Sequence, residues 1–341
     1  MNAHASSGRS TIRDVAAAAG VSRSTASRAL SGNGYAAPDV REKVRAVARD
    51  LGYVVDVTAR DLKQRTSRSI GVLVSDLRNV FYAELASGVG VEARGNGRSI
   101  VLVDLHGSPE DEIEAAETLV SSRVSGVIAT PMSAALSEFL SRRHVPLVEI
   151  DRRFDPHHTD AVVVDNRAAA RDTTTYLLGL GHERIALLID ETEWTTGAER
   201  QRGYLDAFAS RKVRADSSLV VSAGWDADAA TATATALLSR ADRPTAVFAA
   251  NNVLTEGVWR ATQALGLSVP DDVSIVGFDD AQWMSMLKPG ISTRRQDTLA
   301  LGATAVRTLL ERIENPGGPV HTIVLPTTFV DRGSVGPPPA R

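Results

Sequence analysis

The chain has 341 residues, which is too long for one ordinary domain, and 43% of them are apolar and 23% charged, as in globular proteins with a sizeable core. It contains no cysteine, which excludes disulfides and thiolate metal sites. The net charge of −3 divides unevenly: residues 1–68 hold 12 Lys and Arg against 6 Asp and Glu (+6), and the remainder holds 26 against 35 (−9). A basic head on an acidic body is typical of a DNA-binding segment attached to a body that DNA repels.

Residues 1–10 are small and polar, and we expect them to form a disordered tail. They lack the apolar segment of a secretory signal peptide. No run in the sequence approaches the roughly 20 apolar residues that span a bilayer. We therefore expect a cytoplasmic, nucleoid-associated protein without membrane contact.

Residues 11–30, TIRDVAAAAGVSRSTASRAL, predict two short helices joined by a turn at Gly20. Ser22 is placed to cap the second helix. The outward face of that helix carries donors for phosphates and guanine edges, namely Arg23, Ser24, Ser27 and Arg28. The pattern predicts a helix-turn-helix whose second helix reads the major groove, with Thr11 and Ser22 as further DNA contacts. An ordinary helical hairpin with a solvated basic face is the alternative.

A third helix is predicted from Asp39 to Leu51, with Pro38 at its first position. It closes a three-helix, all-α head over residues 11–53. The linker, residues 54–68, contains a short helical pattern that Asp56 could cap. A helix this short is not stable in water unless something packs on it.

Three stretches, TIRDVAAAAGVSRSTASRAL, REKVRAVARDLGY and ARDL, together resemble the lac repressor (LacI/GalR) family of bacterial transcription regulators. The likeness extends to about residue 333. It implies that the linker is a hinge helix that pairs with its copy in a second subunit, with Leu62 wedged into the central base step of the operator and Ala59 at the helix contact. The family usually has proline and asparagine where this chain has Val55 and Asp56, which predicts weaker or differently controlled hinge folding.

Residues 69–333 alternate twice between short apolar strands and amphipathic helices. Such a pattern predicts parallel sheets covered on both faces, here an α/β core of two doubly wound parallel-sheet subdomains. The resemblance implies that this core is periplasmic-binding-protein-like and that it binds the effector and forms a homodimer. It also implies crossings between subdomains near Asp160, Ser292 and His321. The expected N-subdomain is then about 69–160 plus 293–320 and the C-subdomain about 161–291 plus 321–333, and residues 334–341 form a disordered tail.

Ligands of parallel sheets bind beyond the carboxyl ends of the strands. Polar side chains recur at those positions: Asp76, Asn79, Asp151, Arg152, Asp165, Asn166, Arg200, Asn251, Asn252, Asp279 and Asp280. Together with aromatic rings they suit a small polyhydroxylated molecule such as a sugar. The resemblance implies effector contacts from Phe81, Tyr82, Asp151, Arg200, Trp225, Asn251 and Asp279, to which we add Asp76. Asp165, Asn166 and Asp280 suit helix caps or interdomain hydrogen bonds equally well, and Asn252 departs from the aspartate common in the family.

These features predict a transcription regulator, most simply a repressor, whose affinity for double-stranded, pseudo-palindromic operator DNA is controlled by a sugar-like effector. The alternative is a carbohydrate-processing enzyme or sugar-binding receptor with an accessory DNA-binding head. The sequence lacks a glycine-rich phosphate loop, a nucleophile elbow and a metal-spaced histidine cluster. We therefore expect no enzyme activity, no cofactor and no metal.

Overall fold

The computed structural model describes residues 10–31, 34–53, 67–190 and 194–339, and the chain divides into two compact units before and after Arg68. The first unit, the head, consists of α1 (Ile12–Ala19), α2 (Arg23–Ser31) and α3 (Pro38–Asp50). The second unit, the core, contains the two sheets.

The predicted helix-turn-helix is confirmed in the head. Gly20 ends α1 at φ 66°, a left-handed conformation that glycine adopts without strain. The Ser22 hydroxyl accepts a hydrogen bond from the Thr25 amide at 3.1 Å, which is the predicted cap of α2. The core of the head is made mostly of small side chains, among them Ala16, Ala26 and Ala48, and these let the three short helices approach closely.

Strands and helices alternate through the core as β1 (Ser69–Val74), α4 (Val80–Gly95), β2 (Ser99–Asp104), α5 (Glu112–Ser121), β3 (Val127–Ala129), α6 (Ala135–Ser141), β4 (Leu147–Ile150), β5 (Asp160–Val164), α7 (Asn166–Gly179), β6 (Ile185–Ile189), α8 (Thr195–Ser210), β7 (Val220–Ser222), α9 (Ala227–Leu238), β8 (Ala246–Ala249), α10 (Asn252–Ala264), β9 (Ser274–Phe278), β10 (Ser292–Gln296), α11 (Thr298–Glu314), β11 (Thr322–Leu325) and β12 (Thr327–Val330). Within the described ranges, no helix has the length and apolar character needed to cross a bilayer.

The strands form two six-stranded sheets, as the sequence predicts. Sheet 1 has the order β11-β5-β4-β3-β1-β2 and is parallel throughout. Sheet 2 has the order β12-β10-β9-β8-β6-β7 and is parallel except for β12, which pairs antiparallel with β10. The carboxyl ends of the parallel strands therefore form one edge in each sheet.

All three predicted crossings between the sheets are displaced. The strand that begins at Asp160 pairs with β4 and β11 and so belongs to sheet 1, not to the second subdomain. The chain leaves sheet 1 only after Val164, returns to it after Gln296, and leaves again between Leu325 and Thr327. The residues of these segments predict strands but do not select a sheet, so the crossings follow from the strand order of the assembled sheets.

The close packing of α4 on α11 fixes the helix that follows β1. A Cβ added at Gly88 would lie 2.6 Å from the carbonyl oxygen of Leu299, and one added at Gly302 would lie 2.5 Å from that of Leu85. Both glycines let the two backbones approach closely. This contact holds α4 closely against α11.

The tail beyond Gly333 was predicted to be disordered, and for residues 334–339 that prediction is wrong. Ser334 is fully buried and its hydroxyl donates to the carbonyl oxygen of Ile275 at 2.6 Å. The buried ring of His182 contacts the carbonyl oxygen of Gly336 through Nε2 at 2.8 Å. Glycine and proline gave the tail no secondary-structure pattern, yet its backbone is held by side chains of sheet 2.

Candidate functional site

The outward face of α2 carries exposed polar side chains. Arg23, Ser24, Ser27 and Arg28 are exposed, as is Ser22. Among the residues that the structure describes, no carboxylate forms an ion pair with either arginine. Thr11 is also exposed, but its hydroxyl donates to the Asp14 carboxylate at 2.8 Å and so takes part in capping α1. The predicted hinge residues Ala59 and Leu62, with Val55 and Asp56, lie outside the described residues.

A second group of polar side chains meets between the two sheets of the core, at the carboxyl ends of β1, β4, β6, β8 and β9. It encloses a cavity of about 30 Å³ lined by Asn79, Phe81, Tyr82, Asp151, Arg152, Asp190, Thr196, Arg200, Asn251 and Asp279. Of the predicted effector contacts, the structure brings together Phe81, Tyr82, Asp151, Arg200, Asn251 and Asp279. This set, named here the cleft site, is contributed by both sheets.

Two buried aspartates line the cleft site. Asp151 directly follows β4 and Asp279 directly follows β9, and both adopt left-handed backbone conformations, with φ of 68° and 66°. Burial raises the pKa of both carboxyl groups, that of Asp279 to about 6, while the Arg200 guanidinium opposes the shift and the neighbouring carboxylates add to it. Gln296 donates to Asp279 at 2.6 Å. The backbone strain and the charge cluster are typical of a binding site.

Arg152 supplies one of the two buried cations. Its Nη2 donates to the Tyr82 hydroxyl at 2.6 Å and its Nη1 donates to Ser75 at 3.2 Å. The guanidinium stacks 3.5 Å from the ring centre of Trp194. Its Nε lies 3.8 Å from the nearer Asp151 oxygen without a hydrogen-bond partner. An aromatic face and two hydroxyl groups thus orient Arg152, and its Nε–H remains available as a hydrogen-bond donor.

Arg200 supplies the other cation, from the second turn of α8. Its Nε donates to the Asn166 side chain at 2.8 Å, its Nη1 donates to the carbonyl oxygen of Ala250, and its guanidinium lies 3.7 Å from the ring centre of Phe278. Three separate elements therefore hold this side chain in the lining of the cleft site.

Asn251 has a structural role besides lining the cavity. Its Oδ1 caps α10 by accepting from the Leu254 amide at 2.8 Å, and its Nδ2 donates to Asp190 at 3.1 Å. Its neighbour Asn252 donates to Asn79 at 2.8 Å, which joins the second sheet's α10 to the loop after β1. The two asparagines thus link the strand ends of both sheets.

Two predicted contacts do not line the cavity. Asp76 forms an ion pair with Arg78 at 2.8 Å on the surface. Trp225 is 42% exposed, and it reaches the site only through the ring of Trp194, 4.0 Å away between ring centres. Three residues were predicted to be either effector contacts or structural groups. Asp165 caps α7, and Asp280 forms an ion pair with Arg332 at 2.8 Å. The Asn166 side chain accepts a hydrogen bond from Arg200.

Sequence reasoning missed Asp190, Trp194, Thr196 and Gln296. Asp190 comes directly after β6, so the rule that selected the other strand ends applies to it as well. Thr196 lies four residues before Arg200, one turn earlier on the same face of α8. Trp194 and Gln296 carried no comparable signal.

The cleft site offers buried acceptors, two cations and aromatic faces, which is the chemistry that binds vicinal hydroxyls and stacks on C–H faces. Its carboxylates outnumber its guanidiniums by three to two, counting Asp151, Asp190 and Asp279 against Arg152 and Arg200. An anionic ligand is therefore disfavoured relative to a neutral one. In the described part of the chain, no group of His, Cys, Asp and Glu is arranged to hold a metal ion.

Comparison with known proteins gives matches to both units. Residues 11–56 match the bacterial regulatory proteins, lacI family, and residues 174–335 match the periplasmic binding protein-like domain. The ribose operon repressor of Haemophilus influenzae is 30% identical over 329 residues, which cover 95% of this chain and 98% of that protein.

Solved structures agree with these matches. The crystal structure of the lac repressor dimer bound to operator and the anti-inducer ONPF is similar with a TM-score of 0.86 and 26% identity, over 96% of this chain and 100% of that one. A LacI family transcriptional regulator from Enterococcus faecium with bound ribose is similar with a TM-score of 0.71 and 28% identity, over 79% of this chain and 99% of that one.

Proposed function

The chain belongs to the lacI family of bacterial regulatory proteins, and from that premise we propose that it is a homodimeric transcriptional repressor whose effector is a neutral pentose such as ribose. Each head reads one half of a pseudo-palindromic operator through Arg23, Ser24 and Arg28, with Thr11, Ser22 and Ser27 beside them. The paired hinges insert Leu62 at the operator centre, with Ala59 at their contact. Such a protein acts in the cytoplasm, on the nucleoid.

The observation that carries the choice of effector is that the carboxylates of Asp151 and Asp279 and the guanidinium of Arg200 line the same small cleft. Carboxylates accept from sugar hydroxyls and guanidiniums donate to them, so a pentose satisfies both. The excess of carboxylates disfavours a sugar phosphate. Similarity to the ribose operon repressor of Haemophilus influenzae and to the ribose-bound regulator of Enterococcus faecium supports the choice of ribose as effector.

The three crossings between the sheets supply the hinge of a clamshell. A cavity of about 30 Å³ has room for little more than a water molecule, so the sheets separate to admit a sugar and close on it. The sugar lowers operator affinity only as far as it prefers the DNA-free arrangement of the dimer, and a coupling of about 1–3 kcal/mol is typical. The change in orientation of the subdomains is passed to the paired hinges, which separate and leave the DNA.

The enzyme alternative finds little support in the geometry. Asp279 and Asp280, which could be drawn as a catalytic pair, point to different partners, Gln296 and Arg332. We therefore propose that the bound sugar is returned unchanged.

The test is a thermal-shift measurement with ribose, ribose 5-phosphate, cellobiose and adenine, followed by release of an operator obtained by in vitro selection. A ligand at 100 times its dissociation constant adds about 2.7 kcal/mol to the free energy of unfolding. We expect stabilisation and operator release by ribose alone. Stabilisation by ribose 5-phosphate instead would contradict the neutral-pentose proposal, and consumption of the ligand would mean an enzyme.

A further inference from the structure

The third helix of the head carries a row of arginines that base reading by α2 does not use. Arg41, Arg45 and Arg49 follow one another at intervals of four residues on α3, so they lie on one face of the helix. Arg45 and Arg49 are exposed, whereas Arg41 is half-buried with an Nε that has no hydrogen-bond partner. We name this row the α3 arginine face.

The α3 arginine face borders a surface groove of about 390 Å³, which is completed by Ala36, Pro38 and Glu42. Of the residues that the structure describes, none forms an ion pair with any of the three guanidiniums. Like charges four residues apart destabilise a helix, so the row does not serve the folding of the head. The single carboxylate at the groove leaves it with two excess positive charges, which favours an anionic occupant.

The spacing of the row matches an anion whose charges repeat at regular intervals. Side chains four residues apart on an α-helix are separated by about 6 Å along its axis. That distance is close to the separation of successive phosphates on a DNA strand, and each guanidinium can bind a phosphate with two parallel hydrogen bonds. The groove belongs to the same small head as α2, so duplex DNA is the polyanion that this head meets.

We propose that the α3 arginine face binds the phosphate backbone of duplex DNA and adds a sequence-independent contact to the base contacts of α2. The proposal rests on the DNA-binding function given above. It predicts that these arginines set the affinity and its salt dependence but leave base specificity unchanged.

The experiment measures binding of the full-length protein to a fluorescent 30-base-pair duplex of random sequence, and to the selected operator, by anisotropy over a range of salt concentrations. The test variant is Arg45→Gln/Arg49→Gln. The matched control is Arg211→Gln/Arg214→Gln, which removes two exposed charges from the core. A charge-keeping variant, Arg45→Lys/Arg49→Lys, and thermal unfolding followed by circular dichroism check that the head still folds.

Each lost phosphate contact reduces the magnitude of the slope of log K against log salt by about 0.9. The proposed homodimer carries the two substituted arginines on each of its two heads, so we expect the test variant to lose about 3.6. Near 0.1 M salt its affinity falls on the order of 4,000-fold, equally on both duplexes, while the control and the lysine variant keep the wild-type slope.

An unchanged slope in the test variant, with normal binding by the wild type, overturns this proposal and leaves the DNA-binding function intact. If labelled poly-glutamate binds the wild type but not the test variant while the DNA slope is unchanged, the groove takes an acidic polypeptide and the proposal is wrong. Failure of the wild type to bind either duplex would instead refute the DNA-binding function itself.

Discussion

Asn252 donates a hydrogen bond to Asn79 across 2.8 Å, and this contact joins α10 of the second sheet to the loop that precedes α4 on the first. Asn79 at the same time accepts from the Phe81 amide at 3.0 Å, so its oxygen caps the helix that carries Phe81 and Tyr82 into the cleft site. The pair therefore couples closure of the two sheets to the position of aromatic side chains that we propose to contact the effector.

Asn252→Ala removes this link and leaves the cap of α4 in place. We expect effector affinity to fall by about five- to tenfold, the range of one lost hydrogen bond of about 1–1.5 kcal/mol, with operator affinity in the absence of effector unchanged. Isothermal titration with ribose measures the first quantity and DNA anisotropy the second. Asn96→Ala, at the far end of α4, is the matched control and should have no effect on effector binding.

Effector affinity should depend on pH through Asp279, whose pKa burial raises to about 6. A carboxylate that accepts from a sugar hydroxyl binds best when it is ionised. We therefore expect effector affinity to be highest above pH 6 and to decrease below pH 6, approaching a tenfold decrease per pH unit. Titrations between pH 5 and 8 check this. Asp279→Asn should bind weakly with no dependence on pH in this range, and an Asp279→Asn profile like that of the wild type would exclude this residue as the titrating group.

Arg200→Ala should leave operator binding intact and abolish the response to effector. The side chain donates to Asn166 and to the carbonyl oxygen of Ala250, and it lines the cleft site together with Asp151 and Asp279, far in sequence from the head. Operator affinity with and without ribose is the measurement. A retained response would remove Arg200 from the effector site.

Leu62→Ala tests the proposed wedge in the hinge. We expect operator binding to weaken by about tenfold or more and binding to random-sequence DNA to change little, because only the kinked operator uses the inserted side chain. Equal loss on both duplexes would argue against a wedge.

Glu149 should make the stability of the core depend on pH. This residue is fully buried on β4, its Oε2 accepts from the Phe154 amide at 3.0 Å and its Oε1 has no partner. Burial raises its pKa to about 7, so the folded state favours the protonated form. Its contribution to stability is present below the unfolded value near 4.5 and is lost as pH rises through 7, by up to about 3 kcal/mol. Urea unfolding at pH 5 and pH 8 should show a smaller loss in Glu149→Gln than in the wild type.

The sequence by itself determined the elements and the chemistry at their ends. The spacing of Val15, Ala16 and Ala19, the break at Gly20 and the cap at Ser22 predicted the helix-turn-helix, because caps and periodicity act within a few residues. In the same way, short apolar runs predicted parallel strands, and the residues after them supplied Asp151 and Asp279. These features depend only on residues that are close in sequence, so they can be recognised from the amino-acid sequence alone.

Only the tertiary structure decided which strands share a sheet and which polar side chains meet. The strand Asp160–Val164 joins sheet 1 because β4 and β11 flank it. Its own residues do not show that β11, which places Thr322 opposite Ala161, lies beside it. Asp76 and Asp151 both follow apolar strands, yet Asp76 pairs with Arg78 at the surface and Asp151 is buried beside Arg152. Whether a side chain is buried, and which group it pairs with, depends on residues from the whole fold. Neither property can therefore be read from the sequence around that side chain.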